Sequence, residues 1–401
     1  MGTPRREFGV LAGEVEPYCA WLIAQGYSSG SVDRLLGSLS RLAGWLQARG
    51  KPGTRIEPDD VREMFAVRRG LVGRHGVPGE PGTNHFLAFL AWRGLLAEVA
   101  PQEPSPVQAL MASFRDWMVR ERGLAAGTII RYERTAGRFL AEKALRVGVL
   151  DVAGLTGADV NAFLLRECAR VSAGSAKGRV AELRALLRFL YLEGLIPLPL
   201  GGAVPPVGGW RLATIPRLVS AEEVQRVIDS CDAGTVVGTR DRAIMLLVAR
   251  LGLRSVEVAG LELGDLDWRH GEFTVRGKGR RQDRLPLPTD VGEALSVYLA
   301  GRGRVAGSRR VFFTCQAPRG PILPGLVYEV LERGCKRAGV ARFGPHRMRH
   351  ALAGELLRQG VGLVSISQVL RHQDLATTAV YAKVDLAALR QVAQPWPAVP
   401  R

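Results

Sequence analysis

Residues 271–288 read "GEFTVRGKGRRQDRLPLP". Phe273 and Val275 alternate on one side of a Gly/Lys/Arg turn, and Leu285 and Leu287 on the other, as in a β-hairpin. The flanking sequence has a different period. From "TRDRAIMLLVARLGLR" (239–254) onward the reading is helical apart from this hairpin. "FGPHRMRHALAGELLRQG" (343–360) predicts a helix of about four turns, with Pro345 in its first turn and Gly360 at its C-cap. Together these elements predict a mainly α fold carrying one small antiparallel sheet.

The same region opens at "SAEE", where Ser220 can cap a helix and Glu223 can reach back to it, ahead of the apolar Val224, Val227 and Ile228. Before it, "PLPLGGAVPPVGGWRLATIP" (197–216) favours neither helix nor strand and reads as a linker. Upstream of the linker two segments share a pattern. "YCAWLIAQGYSSGSVDRLLGSLSRLAGWL" (18–46) parallels "FRDWMVRERGLAAGTIIRYERTAGRFL" (114–140), pairing Trp21 with Trp117, Gly26 with Gly123, Arg34 with Arg131 and Arg41 with Arg138. "FLAWRGLL" from Phe89 echoes "FLYLEGLI" from Phe189. A period of about a hundred residues means a duplicated domain rather than a solenoid, and each copy reads as amphipathic helices broken by glycine. "GYSSG" (26–30) has the spacing of a nucleophile elbow but follows a helical pattern, which argues against one.

Composition narrows the partners. The 401 residues include 55 Lys and Arg against 38 Asp and Glu, a formal charge of +17 that favours a polyanion. Five scattered cysteines suggest reduced thiols rather than a disulfide frame or zinc ribbon. With no signal-like N-terminus and no apolar run of about 20 residues, the expectation is a soluble, cytoplasmic protein that makes no use of a membrane.

Within the second copy, Arg131, Arg134 and Arg138 recur at helical spacing, as do Lys177, Arg184 and Arg188 further on. Such faces can track phosphates. The alternative is a solvated surface with local partners such as Glu133 and Glu182.

The last third carries the chemistry. Arg254 and Glu257 lie three apart, so on a helix they share a face and the carboxylate can hold the guanidinium. Lys278 sits at the hairpin tip beside Arg276, Arg280 and Arg281. On the 343–360 helix His346, Arg349 and His350 occupy one side, with Met348, Leu352 and Leu356 as the packing stripe, and the helix N-terminus favours an anion there. His372 precedes Tyr381 in "LRHQDLATTAVYAKVD" (370–385). Each cluster alone has an ordinary alternative: a surface ion pair, a solvated tip, a chance His and Arg, a core tyrosine. As a set they match phosphodiester attack. Two planar forks neutralise the non-bridging oxygens, especially as charge grows in the transition state. A phenol with a pKa of ~10 needs a base or a strongly positive site to attack phosphorus. His346 can take its proton, and Lys278 can give one to the departing oxygen.

In order, "ARLGLRSVEVAGL", "VRGKGRRQDRLPLP", "HRMRHALA" and "LRHQDLATTAVYAKV" resemble the Arg, Lys, His-x-x-Arg, His and Tyr boxes of the tyrosine recombinase (phage integrase) family. The likeness covers Ser220 to Val384, and Pro106 to Leu195 is similar to the family's core-binding domain. It implies a mainly α chain of helical core-binding (SAM-like) domains plus an α+β catalytic domain with a small antiparallel sheet. The domains expected are an N-terminal duplicate over 1–100, a core-binding domain over 105–196, the linker over 197–217, the catalytic domain over 218–385 and a tail over 386–401. The helical domains and the catalytic domain would form a C-clamp on DNA.

By the same resemblance, Arg254 and Arg349 clamp the scissile phosphate, Lys278 protonates the 5′-oxygen, His346 transfers a proton and His372 hydrogen-bonds the phosphate. Tyr381 forms a 3′-phosphotyrosyl bond. Glu257 and His350 support the site, and no metal, ATP or other cofactor is implied. The partners are double-stranded DNA and further copies of the chain, as a tetramer on two duplexes, with sister recombinases left open. Leu386, Leu389, Val392 and Trp396 suggest a tail that docks on a neighbour or on its own domain. Two features depart from the family pattern. Arg371 stands where Gly is usual before the His, so either the loop aiming His372 differs or Arg371 adds a phosphate contact. Residues 1–100 are additional, and read as a DNA-binding or protomer-contact module. Rival readings are a type IB topoisomerase and a non-cutting DNA-binding accessory protein.

Overall fold

The computed structural model describes residues 7–61, 63–64, 80–97, 104–147, 151–206, 208, 219–277, 281–303, 305 and 307–371. The chain divides into two compact units, Met1–Glu98 with Thr214–Arg401, and Val99–Ala213.

In the first unit the N-terminal stretch forms α1 (Val15–Ala24), α2 (Ser29–Ala48) and α3 (Glu80–Trp92) around a core of Leu11, Tyr18, Leu22, Leu39, Leu42, Phe86 and Phe89. The second unit contains α4 (Pro106–Arg120), α5 (Ala126–Val147), α6 (Gly157–Ala169) and α7 (Ala173–Leu192). Ser105 caps α4 and Thr156 caps α6, each in a reciprocal box with Gln108 or Asp159 that occupies otherwise orphaned backbone N–H groups.

The sequence echo has a geometric counterpart. Tyr18 stacks on Trp21 with ring centroids 6.4 Å apart, and Phe89 lies 4.4 and 5.8 Å from the two. Phe114 stacks on Trp117 at 6.1 Å, and Phe189 lies 5.2 and 5.8 Å from them. A matching aromatic triplet, with Tyr18 in one copy where Phe114 stands in the other, therefore anchors both helical cores.

The start of the expected linker is folded. Leu200–Ala203 makes a 3-10 turn, Val204 is buried in the second unit's core, and Arg184 donates to its carbonyl at 2.7 Å. Composition suggested otherwise because a turn held by one buried valine and one arginine has no periodicity to read.

The remaining elements of the first unit are α8 (Ala221–Asp229), α9 (Val236–Leu251), α10 (Ser255–Gly260), β1 (Leu266–Asp267), β2 (Glu272–Arg276), β3 (Gln282–Pro286), α11 (Thr289–Arg302), α12 (Pro324–Arg337), α13 (Pro345–Arg358) and α14 (Leu363–Val369). The Ser220 cap forms as read, with Glu223 accepting from the Ser220 N–H at 3.0 Å. Ala243–Ala249 is apolar all round and buried, so α9 runs through the core rather than along its surface.

The hairpin also forms as read. Phe273 pairs with Leu285 and Arg276 with Gln282 in an antiparallel register, with Phe273 and Val275 buried. β1 adds a third strand beside β2, which two residues without alternation could not announce. The observed class is mainly α with a small antiparallel sheet. Among the described residues no helix is long and apolar enough to cross a membrane.

Candidate active site

The site is built where α9 stops. Gly252 ends it in the left-handed conformation at φ +58°, and a Cβ there would lie 2.8 Å from a Leu370 methyl. Backbone freedom and close approach thus both require glycine. Arg254 then takes an extended conformation as N-cap of α10. Glu257 reaches back from the first turn, accepting from the Arg254 backbone N–H at 2.8 Å and from Nη1 at 2.7 Å. The expected shared helix face is corrected: Arg254 precedes the helix, because the chain leaving Gly252 must cap a new one.

Arg349, on α13, is only 5% exposed. Its Nη1 donates to the Gly252 carbonyl and its Nη2 to the Leu370 carbonyl. Arg254 Nη2 donates to the next carbonyl along, that of Arg371, at 3.0 Å. Two guanidiniums from separate elements therefore meet on consecutive peptide groups at the end of α14.

His346 and His350 share α13 with Arg349, whose Met348 is buried as the stripe predicted. His346 reaches solvent at one edge and packs against Tyr328 with ring centroids 6.5 Å apart. Its pKa is pushed below the usual histidine value, first by desolvation and then by the charges of Arg349 and Arg254. His350 is lowered by desolvation, His346 and Arg349. Neutral imidazole is the favoured form of both, and His346 has two arginines in electrostatic range.

Lys278, Arg280, His372 and Tyr381 lie outside the described residues, as does the tail with Leu386, Leu389, Val392 and Trp396. The hairpin stem leading to Lys278 is closed by Gly277, whose N–H donates to the Arg281 carbonyl at 2.8 Å. Arg281 is exposed. Arg276 is engaged below the tip by Asp265 at 2.7 Å and Glu262 at 3.4 Å, so it braces the sheet.

In the second unit Arg131, Arg134, Arg138, Lys177, Arg184 and Arg188 are all exposed. Two of them stand on buried acids. Arg131 pairs with Glu182 at 2.8 Å and Arg138 with Glu167 at 2.9 Å, while Arg179 and Thr135 also bind Glu182 at 2.9 and 2.6 Å. Glu133 pairs instead with Arg115 at 2.6 Å. Glu167 escaped the sequence reading, although its place behind Phe163 and Leu164 on one helical face marks a buried acid. Carboxylates behind exposed guanidiniums hold them in fixed positions, which reduces the entropy lost on meeting an anion.

The core of the site can bind a tetrahedral anion and accept a proton beside it. Two guanidinium forks and a neutral imidazole suit a phosphodiester, whose oxygens gain charge as phosphorus is attacked.

A model of the phage integrase family matches residues 217–387. The integrase/recombinase y4rA of Sinorhizobium fredii (strain NBRC 101917 / NGR234) is 37% identical over 396 residues, covering 97% of this chain and 95% of its own. Tyrosine recombinase XerD of Mycobacterium tuberculosis (strain ATCC 25618 / H37Rv) is 31% identical over 303 residues, covering 70% of this chain and 95% of its own. The fold is similar to a crystal structure of the XerH site-specific recombinase bound to a palindromic difH substrate in a post-cleavage complex. That match has a TM-score of 0.53 at 16% identity, over 82% of this chain and 93% of the other.

Proposed function

The chain belongs to the phage integrase family of tyrosine recombinases, and from that membership we propose that it cuts and rejoins double-stranded DNA at specific sites through a 3′-phosphotyrosyl intermediate. The Tyr381 phenol oxygen attacks the scissile phosphorus, and the bond to the 5′-oxygen breaks. His346 takes the phenolic proton, and Lys278 protonates the departing oxygen. Arg254 and Arg349 hold the non-bridging oxygens, and His372 donates to one of them. The phosphotyrosine keeps the energy of the broken diester, so a 5′-hydroxyl reseals the strand by the reverse step. The observation that carries this reading is the meeting of Arg254 and Arg349 on the consecutive carbonyls of Leu370 and Arg371, with His346 in the field of both.

Residues 105–196 then act as the core-binding domain, presenting Arg131, Arg134, Arg138, Lys177, Arg184 and Arg188 to phosphates, and 218–385 as the catalytic domain with Arg281 and Arg280 at the hairpin. Residues 1–100 form a second helical module of the same descent, and residues 386–401 contact a neighbouring protomer. Exchange between two duplexes needs four such sites, hence a tetramer on DNA.

The test uses a duplex selected from a random-sequence pool by retention on the protein, nicked close to the cleavage position so that the freed end is lost. A protein–DNA adduct that exchanges strands with a second duplex is the expected result. Adduct without exchange, together with relaxation of a separate supercoiled plasmid carrying the selected site, indicates a topoisomerase, and binding with no adduct an accessory protein.

The pH dependence has a fixed sign. Because the folded site lowers the pKa of His346, the neutral base predominates at pH 7, and the acid limb of the cleavage rate is expected below pH 6.5. Single-turnover cleavage across about pH 4.5–8.5 (roughly two units either side of the ordinary histidine value) checks this, with His346→Asn flattening the limb. A limb centred above 6.5 would contradict the assignment.

A further inference from the structure

Arg371 is the one non-glycine among the described residues with a left-handed backbone, at φ +53°. It follows α14, where Leu370 N–H donates to Ile366 and Arg371 N–H to Gln368 at 3.0 and 2.9 Å. Such a helix end suits glycine, because a Cβ crowds the neighbouring carbonyl. An observed strain of this kind calls for a compensating contact.

The side chain provides one. Rather than facing solvent as a phosphate contact, the guanidinium folds inward and its side chain is 7% exposed. Nη2 pairs with Glu257 Oε2 at 2.9 Å, and Nη1 donates to the Val369 carbonyl at 3.2 Å. Glu257 is itself 1% exposed and divides its oxygens between the two guanidiniums, Oε1 to Arg254 and Oε2 to Arg371, with Oε2 also accepting from the Arg254 backbone N–H. Burial alone would raise the Glu257 pKa, but the charge of Arg371, the hydrogen bonds from Arg254 and its charge hold it below the usual range. Two guanidiniums around one carboxylate leave a net positive charge, whereas Arg254 and Glu257 alone would cancel.

We propose that Arg371 is a positioning residue for Arg254, taking up half of the Glu257 carboxylate so that Arg254 keeps its charge for the phosphate, and offering the backbone carbonyl on which Arg254 rests. This rests on the reading of Arg254 as a phosphate ligand.

The experiment compares Arg371→Gly, Arg371→Lys and Arg254→Ala in the full chain on the selected nicked duplex, with the scissile phosphate either natural or replaced by an uncharged methylphosphonate. Single-turnover cleavage at saturating protein, DNA affinity and melting temperature are measured. Arg371→Gly relieves the backbone strain and should fold, so folding loss does not mask the result. Expected for Arg371→Gly is cleavage slower by about tenfold or more on the natural phosphate at unchanged affinity, since a preorganised charge acts mainly on the transition state. Arg371→Lys, which keeps a charge without the fork, should fall between. On the methylphosphonate, which asks less of Arg254, the deficits should shrink to within about threefold. A wild-type rate for Arg371→Gly beside a slow Arg254→Ala overturns the inference alone. An equal Arg371→Gly deficit on both substrates also overturns it, as a purely structural role. A wild-type rate for Arg254→Ala removes the underlying reading instead.

Discussion

Tyr381→Phe is expected to abolish the covalent DNA adduct while leaving non-covalent affinity unchanged. The substitution removes one oxygen and keeps the aromatic volume, so binding through arginines and lysines should continue. Without the phenol there is nothing for the proposed base to activate, and loss of a nucleophile typically costs on the order of 10⁴-fold or more in rate. Denaturing gels of labelled nicked duplex, scored with a filter-binding control, read both quantities. The rival nucleophile is specific. Tyr18, Tyr132 and Tyr298 are buried and Tyr27 is half-buried; Tyr191 and Tyr328 are each 44% exposed, and of these two Tyr328 lies edge-on to His346. Tyr328→Phe should therefore still form adduct. Adduct persisting in Tyr381→Phe and vanishing in Tyr328→Phe would move the chemistry to α12.

The second large effect is expected at Arg349. Its fork spans two carbonyls, on Gly252 and Leu370, from a buried position on α13. Lysine keeps the charge but concentrates its donors at one point, so it cannot span both carbonyls and also face a phosphate. Arg349→Lys should slow cleavage by about 10²–10³-fold, the usual cost of one preorganised donor to a transition state. It should also destabilise the fold by roughly 1–3 kcal/mol, because a buried carbonyl loses a charged donor. The melting temperature would fall accordingly, by several degrees at about 2–4 °C per kcal/mol for a unit of this size. Cleavage within a few-fold of wild type, with only the melting point lowered, would leave Arg349 a structural tie and nothing more.

The two effects differ in what supports them. Tyr381 rests on the order of boxes along the chain, and Arg349 on where a folded backbone has put two carbonyls. That difference runs through the whole molecule. The hairpin at Phe273 and Leu285, the Ser220 cap and the helix from Pro345 follow from spacing within a few residues, and local spacing is what periodicity and capping record. Likewise the aromatic triplets of the two helical cores were visible as matched residues before their geometry was.

By itself, then, the sequence determined the mainly α class with one small sheet, the shared pattern of the two helical segments and the surplus of positive charge, and it is the ground for proposing Tyr381 as the nucleophile. The class is written in neighbouring side chains, and the repeat and the charge in the order and kind of residues along the chain. Tertiary structure alone decided that Arg254 stands before its helix, that the buried Glu167 backs Arg138, and that Arg371 turns inward to share Glu257. Those outcomes depend on groups brought together from distant positions, where burial, an available carboxylate and a left-handed backbone decide which way a long cation points.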